Sequence, residues 1–245
     1  MKNIFKVLTN KYNSRLTCGK DKNLNQKITY TPIHDQILKF YQSSEINKVN
    51  DDSGQQIKEN QSHLGGARVS INPKSFCPRL WEELIRITNP KSYVDIGCGL
   101  GYSVEYFNSR GIKSIGIDGS EKAINSSHVK DLLKLNDYTK SSALSKEVDL
   151  IWSQEFVEHI RQKERKYFLN DFNKSNFIFM THGLPGQKGT NHVNCKPSLY
   201  WIKELSYLGF KFDEQTTLYL RSIAKYEAIL SSKLLSQKHR KWAQL

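Results

Sequence analysis

A glycine-rich stretch from Tyr93 to Gly101 constrains the fold more than any other part of the sequence. The segment Ser92 to Gly97 is mostly apolar and β-branched and is too short for a helix, so it is predicted to be a buried strand. Gly97, Gly99 and Gly101 then stand at alternate positions, which predicts a tight turn. Because glycine tolerates positive φ and has no Cβ, a ligand can approach the backbone of such a turn closely.

The elements after this turn complete a larger unit. Tyr102 to Arg110 is predicted to form a helix that ends at Gly111, a residue type that is common just past a helix C-terminus. A second strand is predicted from Ser114 to Ile117, and it is followed directly by Asp118. A strand, a glycine turn, a helix and a second strand with a terminal acid form the unit with which a doubly wound α/β sheet binds a nucleoside.

The spacing of the glycines excludes one class of nucleotide site. A dinucleotide-binding turn, G-x-G-x-x-G, needs a glycine at position 102, where this chain has Tyr102. The sequence instead reads G-x-G-x-G, with the acid Asp95 ahead of it and Asp118 placed 21 residues beyond Gly97. The carboxylate of Asp118 can accept hydrogen bonds from both hydroxyls of a ribose.

These motifs resemble motif I and the acid of the second strand in the class I S-adenosylmethionine (SAM) methyltransferases, over roughly residues 76 to 212. The resemblance implies a doubly wound, mostly parallel α/β sheet and SAM as the cofactor. It also implies that SAM is bound by the turn and by residues at the ends of the neighbouring strands. The expected cofactor-binding residues are Asp95, Gly97, Cys98, Gly99, Gly101, Asp118, Gly119, Asp137, Tyr138 and Ser153.

Two of these residues follow the predicted third strand, Leu132 to Leu135. In a methyltransferase sheet this strand end lies beside the adenine. Asp137 is then expected to accept a hydrogen bond from the exocyclic amine, and Tyr138 is expected to cover the ring. An alternative of equal weight is that Asp137 is an acid that caps a turn or a helix.

Strands and helices alternate further along the chain, as in a parallel sheet with right-handed crossovers. Strands are predicted at Val148 to Trp152, at Phe177 to Met180 and from Gly209 to Phe212, and helices at Glu155 to Asn173 and Pro197 to Leu208. The second of these helices is expected to turn Leu199 and Trp201 inward. Class I methyltransferases normally end in a seventh, antiparallel strand, whereas Leu218 to Leu235 favours a helix here.

The length of 245 residues fits one α/β domain, residues 76–245, preceded by an extension, residues 1–75. Within the extension, Pro32 to Ser44 is predicted to be an amphipathic helix and Lys48 to Ser62 a polar linker. The glycine pair within His63 to Arg68 predicts either a lid over the site or a plain connecting loop.

The composition of the chain indicates which partners and which cellular compartment to expect. The formal net charge of +13 favours polyanionic partners such as RNA, although the charge is spread along the chain. No run of about 18 apolar residues occurs, which predicts that no transmembrane segment is present. The four cysteines, Cys18, Cys77, Cys98 and Cys195, form no C-x-x-C pair and predict reduced thiols in a cytoplasmic protein.

Residues that can perform chemistry follow the fourth strand. On the predicted helix, Glu155, Glu158 and His159 stand at i, i+3 and i+4, so their side chains are expected to share one face towards the methyl group of SAM. Three roles remain open for this cluster. His159 can act as a general base that the acids orient, the cluster can bind Mg²⁺ or another divalent metal, or it can simply form a wall of the cofactor site.

The E-x-x-E-H spacing resembles that of the plant small-RNA 2′-O-methyltransferases and of the ubiquinone-pathway O-methyltransferases. In the former family a further histidine downstream completes a metal site, and His182 and His192 are the candidates here. We favour His192, which makes Glu155, Glu158, His159 and His192 the expected metal ligands.

The predicted activity is the O-methylation of a small-molecule or glycan acceptor, such as a sugar or a glycolipid, by in-line transfer from SAM. One alternative is a metal-dependent RNA 2′-O-methyltransferase, favoured by the positive charge and the E-x-x-E-H spacing. A second alternative is a non-catalytic SAM-binding protein. The glycine-rich segment Gly183 to Thr190 is expected to close over the acceptor.

Overall fold

The computed structural model describes residues 62–64 and 76–224. The helix predicted at Pro32 to Ser44 lies outside the described residues, as does the predicted linker up to residue 61. The same holds for the part of the predicted C-terminal helix beyond residue 224.

Five parallel strands form one sheet in the order β3-β2-β1-β4-β5. They are β1 (Ser92–Ile96), β2 (Lys113–Asp118), β3 (Leu133–Leu135), β4 (Val148–Ser153) and β5 (Ser175–Met180). The order along the sheet reverses between β1 and β4, so the carboxyl ends of these strands flank the crevice in which doubly wound sheets bind ligands. The predicted fold, a doubly wound parallel α/β sheet of the class I methyltransferase type, is confirmed.

Helices cover both faces of the sheet. They are α1 (Pro78–Thr88), α2 (Tyr102–Ser109), α3 (Glu121–Ser126), α4 (Lys166–Phe172), α5 (Ser198–Tyr207) and α6, which comprises residues 214–224. Short 3₁₀ turns lie at Ser62–Leu64, Lys130–Leu132 and Val157–His159. Ser120 caps the N-terminus of α3, because its hydroxyl accepts a hydrogen bond from the backbone N–H of Ala123.

Two apolar clusters lie on opposite faces of the sheet, because successive side chains of a strand point to opposite sides. Tyr93 of β1 belongs to the cluster beneath α1 and α2, and its neighbour Val94 belongs to the cluster beneath α4 and α5. In the first cluster Trp81 of α1 lies edge-on to Trp152 of β4, with ring centroids 6.3 Å apart. The strand that carries the glycine turn is therefore held on both of its faces.

The predicted sixth strand is wrong. Residues 210–213 have no regular secondary structure, and the chain becomes helical from residue 214. Phe212 is 47% exposed, so the short alternation Phe210-Lys211-Phe212 does not bury a face as a strand of this sheet must. The inward placement of Leu199 is also wrong, since it is 76% exposed. Leu199 lies about 200° around the helix from Trp201, and only Trp201 faces the core.

The single long helix predicted from Glu155 to Asn173 is wrong as well. The segment contains the 3₁₀ turn Val157–His159 and the short helix α4. Glu155 has a φ of 50°, in the left-handed region, which an α-helix does not accommodate. Val157 and Ile160, at the start of this turn and just after it, are both buried in the cluster beneath α4. Glu155, Glu158 and His159 consequently do not share a helical face.

Candidate active site

The glycine turn after β1 requires glycine for both backbone and packing reasons. Gly97, Gly99 and Gly101 all have positive φ, at 84°, 53° and 77°. A Cβ on Gly97 would lie 2.8 Å from the side chain of Phe156, and one on Gly101 would lie 2.8 Å from Leu133. The turn is therefore packed between the segment after β4 and strand β3, and side chains there would open both contacts.

Asp118, at the end of β2, shapes this turn directly. Its Oδ2 accepts a hydrogen bond from the backbone N–H of Gly99 at 2.8 Å, and its Oδ1 accepts one from the N–H of Ser120 at 2.8 Å. These two bonds orient the carboxylate beside the glycine turn. The predicted role of Asp118 is compatible with this geometry and stays a prediction.

Asp95 presents a buried acceptor beneath the turn. The residue is 5% exposed, and its Oδ2 accepts a hydrogen bond from the hydroxyl of Ser103. Its Oδ1 is buried and has no hydrogen-bond partner among residues 62–64 and 76–224. Burial raises the pKa of the Asp95 carboxyl to about 7, against a lowering contribution from Ser103. An unsatisfied buried acceptor is costly, so this atom marks where a donor group of a ligand would be stabilised.

The residues after β3 make contacts within the protein. Tyr138 is 2% exposed, and its hydroxyl donates to a carboxylate oxygen of Asp171 at 2.9 Å. Its ring packs in the apolar cluster beneath α4 and α5, and its place over an adenine stays a prediction. Asp137 accepts hydrogen bonds from both the backbone N–H and the hydroxyl of Thr139 and forms an ion pair with Lys140.

This environment sets the charge of Asp137. Partial burial raises the pKa of its carboxyl, but hydrogen bonds from Thr139, Lys140 and His63 outweigh burial and hold the pKa at about 2. The geometry favours the turn acid that the sequence left open as an alternative. Ser153 likewise has a structural contact, since its fully buried hydroxyl donates to the carbonyl of Ile96 at 3.1 Å and joins the ends of β4 and β1.

Glu155 is attached to the end of β5 rather than to a helix. The hydroxyl of Thr181 donates to Oε1 of Glu155 at 2.8 Å and accepts a hydrogen bond from its backbone N–H at 3.0 Å. These bonds hold Glu155 in its left-handed conformation, which costs a non-glycine residue about 1–3 kcal/mol. Strain of this kind, retained beside a ligand crevice, is characteristic of functional sites.

Glu158, His159 and His192 come together beyond the carboxyl ends of β4 and β5. One ligand atom from each of the three residues lies within 4.8 Å of the corresponding atoms of the other two. The rings of His159 and His192 are perpendicular, with their centroids 5.1 Å apart. Glu155 and His182, which were weighed as ligands from the sequence, lie outside this group. His182 is instead within hydrogen-bond distance of Ser198, at 3.3 Å.

Backbone contacts bring His192 to the other two residues. The N–H groups of Val193 and Asn194 both donate to the carbonyl of Glu158, at 2.9 and 3.0 Å. The loop between β5 and α5 is thereby fastened to the turn after β4. Two segments that are about 30 residues apart in the sequence thus form one site.

Close packing orients the ring of His192. A Cβ on Gly189 would lie 2.1 Å from Nε2 of His192, and a Cβ on Gly183 would lie 3.3 Å from its Nδ1. Sγ of Cys195 lies 3.6 Å from the same Nδ1. The sequence predicts a flexible link here, whereas Gly189 and Cys195 position a ring. The three-residue spacing of Cys195 from His192 was the only sequence signal for this contact.

The cluster is electrostatically unsatisfied. Glu158 is fully buried, and within the described residues neither of its carboxylate oxygens has a partner at hydrogen-bond geometry, although the backbone N–H groups of Glu158 itself and of Gly183 lie near enough to lower the pKa of its carboxyl. Burial outweighs them and, with a smaller contribution from the nearby Glu155 carboxylate, raises this pKa to about 8. Burial, followed by the neighbouring His192, lowers the pKa of His159. Unpartnered buried atoms also occur at Nδ1 of His159 and in the side-chain amides of Asn191 and Asn194.

Such a group of atoms suits a cation. Two imidazoles and one carboxylate offer three ligand atoms, and a divalent ion would satisfy the buried oxygens of Glu158 that nothing else in the described residues satisfies. The donor set therefore fits a metal site of the predicted kind, with three of the four predicted ligands in place.

Comparison with known proteins identifies the fold family. Residues 94–174 match the model of a family described as a methyltransferase domain. This similarity covers 81 of the 245 residues, about a third of the chain, and agrees with the predicted fold of a class I, SAM-dependent methyltransferase. The matched region begins in β1 and ends just before β5, so it includes the glycine turn, Asp118 and the segment with Glu158 and His159. No curated protein sequence matches the chain.

Solved structures to which the chain is similar include one that is described as a methyltransferase. A SAM-dependent methyltransferase from Archaeoglobus fulgidus is 21% identical, with a TM-score of 0.46, over 65% of this chain and 87% of that one. The YcgJ protein of Bacillus subtilis is 12% identical, with a TM-score of 0.44, over 53% of this chain and 67% of that one. TehB of Haemophilus influenzae is 14% identical, with a TM-score of 0.44, over 51% and 49%. Because these TM-scores lie below 0.5, we draw no conclusion on activity from them.

The predicted absence of a membrane-spanning helix can be examined only in part. Within residues 62–64 and 76–224, none of the helices is long and apolar enough to cross a membrane.

Proposed function

We propose that this protein transfers the methyl group of SAM to a hydroxyl oxygen of its acceptor, with a divalent cation held by Glu158, His159 and His192. The observation that carries this proposal is the convergence of these three side chains at the crevice of the sheet, where Glu158 and His159 have buried polar atoms without a partner among the described residues. If the cluster only formed a wall of the cofactor site, it would not need a fully buried carboxylate without a hydrogen-bond partner, because burying such a group costs free energy.

The glycine turn and the acids beside it are proposed to hold the cofactor. Asp118 is placed to accept the ribose hydroxyls, and the backbone of Gly97 to Gly101 leaves room for the ligand. The unpartnered Oδ1 of Asp95 is suited to a positively charged donor, and the amino acid part of SAM carries an ammonium group. Burial of this pair would strengthen their attraction.

The composition of the cation site points to a class of metal. Imidazole ligands suit manganese, iron, cobalt or zinc, whereas Mg²⁺ prefers oxygen ligands alone. We therefore expect a transition metal rather than Mg²⁺. Such an ion, when bound, lowers the pKa of a coordinated hydroxyl and orients it. Binding requires Glu158 to release its proton, so affinity for the ion should rise with pH.

The residues of the chain have distinct roles in the transfer. The acceptor oxygen attacks the methyl carbon in line with the carbon–sulfur bond, and the sulfur leaves as the thioether of S-adenosylhomocysteine (SAH). With the cation bound, His159 is a ligand and cannot also accept the hydroxyl proton, which would then pass to the Glu155 carboxylate that Thr181 anchors. Without a cation, the lowered pKa of His159 keeps this imidazole neutral and able to accept the proton at neutral pH, and the charge of Glu155 stabilises the protonated ring.

The preferred acceptor is a sugar, a glycolipid or another small hydroxylated molecule, and RNA is the second candidate. The metal-type cluster and the E-x-x-E-H spacing favour RNA 2′-O-methylation to the same degree as a sugar, since both acceptors offer neighbouring hydroxyls. The net charge of the described fold supports an RNA acceptor less strongly than the net charge of the whole chain does. Residues 76–224 contain 20 basic and 17 acidic side chains, so most of the net +13 lies outside the described fold.

The test is transfer of labelled methyl groups from SAM to a panel of acceptors. The panel contains free sugars, glycolipids, and RNA oligonucleotides with and without a free 2′-hydroxyl at the 3′ end. Each assay is run with Mn²⁺ or Co²⁺, with Mg²⁺, and with a chelator. The proposal predicts labelling of a hydroxyl that the chelator abolishes and Mn²⁺ or Co²⁺ restores.

The other outcomes separate the alternatives. Labelling only of RNA with a free 2′-hydroxyl, weakened steeply by salt, would favour the RNA enzyme. Labelling that survives the chelator would remove the metal from the proposal and leave His159 as the base. Tight SAM binding with no transfer to any acceptor would favour the non-catalytic SAM-binding protein.

A further inference from the structure

A short segment far upstream of the sheet contacts the part of the fold where the nucleoside is expected. The 3₁₀ turn Ser62–Leu64 is separated from α1 by residues 65–77. Its side chains nevertheless reach the loops that follow β2 and β3. The mechanism proposed above makes no use of this segment.

His63 fastens the segment to the loop after β3. Its Nε2 lies 3.3 Å from both carboxylate oxygens of Asp137, and the two side chains are 24% and 14% exposed. The same carboxylate is held by Thr139 and Lys140, so it is a fixed anchor rather than a mobile one. The contact thus ties an upstream residue to the end of the sheet.

Leu64 fills a gap in the loop after β2. A Cβ on Gly119 would lie 2.5 Å from Cδ2 of Leu64 and 3.8 Å from its Cγ. Leu64 therefore occupies the space that a side chain at position 119 would take. Gly119 directly follows Asp118, the acid proposed to bind the ribose, so this apolar side chain lies beside the nucleoside end of the site.

The topology explains why this position matters. β2 and β3 are parallel neighbours, with Asp118 paired to Leu135, so the loops after them leave the same edge of the sheet side by side. Ligands of doubly wound sheets sit beyond this edge. His63 and Leu64 contact one loop each, and together they span the two loops.

We propose that His63 and Leu64 complete the site for the adenine nucleoside of SAM and SAH. Leu64 supplies an apolar surface for the base that the loop itself lacks because of Gly119, and His63 holds Leu64 in place through Asp137. Asp137 thus acts on the nucleoside through His63. The identity of the ligand rests on the proposed function, but the closing contacts do not depend on the acceptor or the metal.

The experiment measures binding of SAH and of 5′-methylthioadenosine to the full chain by titration calorimetry. 5′-Methylthioadenosine carries the nucleoside without the amino acid part of SAH. Leu64→Ala should weaken both ligands by about tenfold, which corresponds to the lost burial of a partly covered leucine side chain. Leu199→Ala is the matched control, since Leu199 is 76% exposed on α5, and it should change neither affinity more than about twofold.

A double-mutant cycle tests the role assigned to His63. His63→Ala and Asp137→Asn should each weaken 5′-methylthioadenosine binding about three- to fivefold, and the double variant should be no weaker than the stronger single one. Additive losses would show that the two residues act separately and would overturn the fastening role. The thermal midpoint of each variant without ligand serves as the folding control.

The remaining outcomes are decisive for the proposal. Unchanged affinities in Leu64→Ala would make the contact plain packing, and tighter binding would make Leu64 a plug that the cofactor displaces; either result overturns the proposal. Both results would leave the proposed function standing, because the unaltered chain still binds SAH. Failure of the unaltered chain to bind SAH would instead refute the proposed function and this inference together.

Discussion

Two halves of the crevice differ in how they are built and in what they lack. The cofactor half comprises the loops after β1, β2 and β3, and its residues 95–101, 118–120 and 136–138 come from one continuous region. There Asp118 and Asp137 are already hydrogen-bonded within the protein. The catalytic half comprises residues 155–159 and 181–195, and there both oxygens of Glu158 are buried without a hydrogen-bond partner in the part of the chain that the structure describes.

This difference indicates which half of the crevice is a scaffold and which half carries the chemistry. A half whose acids are satisfied by backbone N–H groups keeps its shape without a ligand, since folding alone meets its hydrogen-bonding needs. A half that buries an unpartnered carboxylate is complete only with a cation or a proton. Asp95 is the exception in the cofactor half, because its Oδ1 also lacks a partner. Variants in the catalytic half should therefore affect transfer, and those in the cofactor half should affect SAM binding or stability.

Loss of His192 should have the largest effect. His192→Ala removes one of the three converging ligand atoms, and we expect transfer to fall by at least about 100-fold. Binding of SAH should stay within about twofold, because the cofactor half is untouched. The control is His182→Ala, whose ring lies outside the cluster and contacts Ser198. Equal losses of transfer in both variants would erase the distinction between the two histidines.

Moving the ring of His192 without removing it should have the second largest effect. A Cβ in Gly189→Ala would lie 2.1 Å from Nε2 of His192, so the ring must move. Affinity for Mn²⁺ or Co²⁺ should fall by about 10- to 100-fold, as when an outer contact of a metal ligand is lost. Lys188→Ala, at an exposed position of the same loop, is expected to bind the ion normally. An unaltered affinity in Gly189→Ala would mean that the ring does not need its observed position.

Asp95 gives the cofactor half a distinct dependence on pH. Its folded-state pKa of about 7 lies above the ordinary value of 3.8, so the folded protein holds this proton more tightly than the unfolded chain. The contribution to stability is fully present below pH 3.8 and is lost as pH rises to about 7. Asp95→Asn should flatten this part of the thermal stability profile in the absence of SAH. An unchanged profile would argue against a buried, protonated Asp95.

Tyr138 should show the smallest effect on function. Tyr138→Phe removes the hydrogen bond to the buried Asp171 carboxylate, which should destabilise the protein by about 1.5–3 kcal/mol. The dissociation constant for SAH should change less than about twofold, because the ring belongs to the core. Denaturant unfolding and calorimetry measure the two quantities. A large loss of SAH affinity without loss of stability would restore the role predicted from the sequence.

The cofactor half could be predicted from the sequence because its information is local. Alternate glycines, a buried strand and a terminal acid fall within about 30 residues, and their spacing determines the turn. The contacts of individual side chains were harder to predict from the sequence. Nothing local distinguishes a tyrosine over an adenine from one that donates to Asp171, since that partner lies 33 residues away.

The residues of the catalytic half could be predicted from the sequence, but the backbone that brings them together could not. Glu158, His159 and His192 were expected together, yet the helix that was to align Glu158 and His159 is a 3₁₀ turn preceded by a residue at positive φ. The left-handed backbone of Glu155 interrupts the helical pattern of the charged residues at its first position. The backbone bonds from Val193 and Asn194 to Glu158, which bring His192 into place, depend on tertiary contacts that a sequence pattern does not contain.

The claim that Glu158, His159 and His192 form a cation site can be tested without knowing the acceptor. Co²⁺ is titrated into the full chain in the presence of SAH, and the visible absorption of the bound ion is recorded for the unaltered protein and for His192→Ala. The account predicts saturable binding of one equivalent of Co²⁺ that the substitution weakens by at least about tenfold. Absence of bound Co²⁺, or equal binding in both proteins, would contradict it.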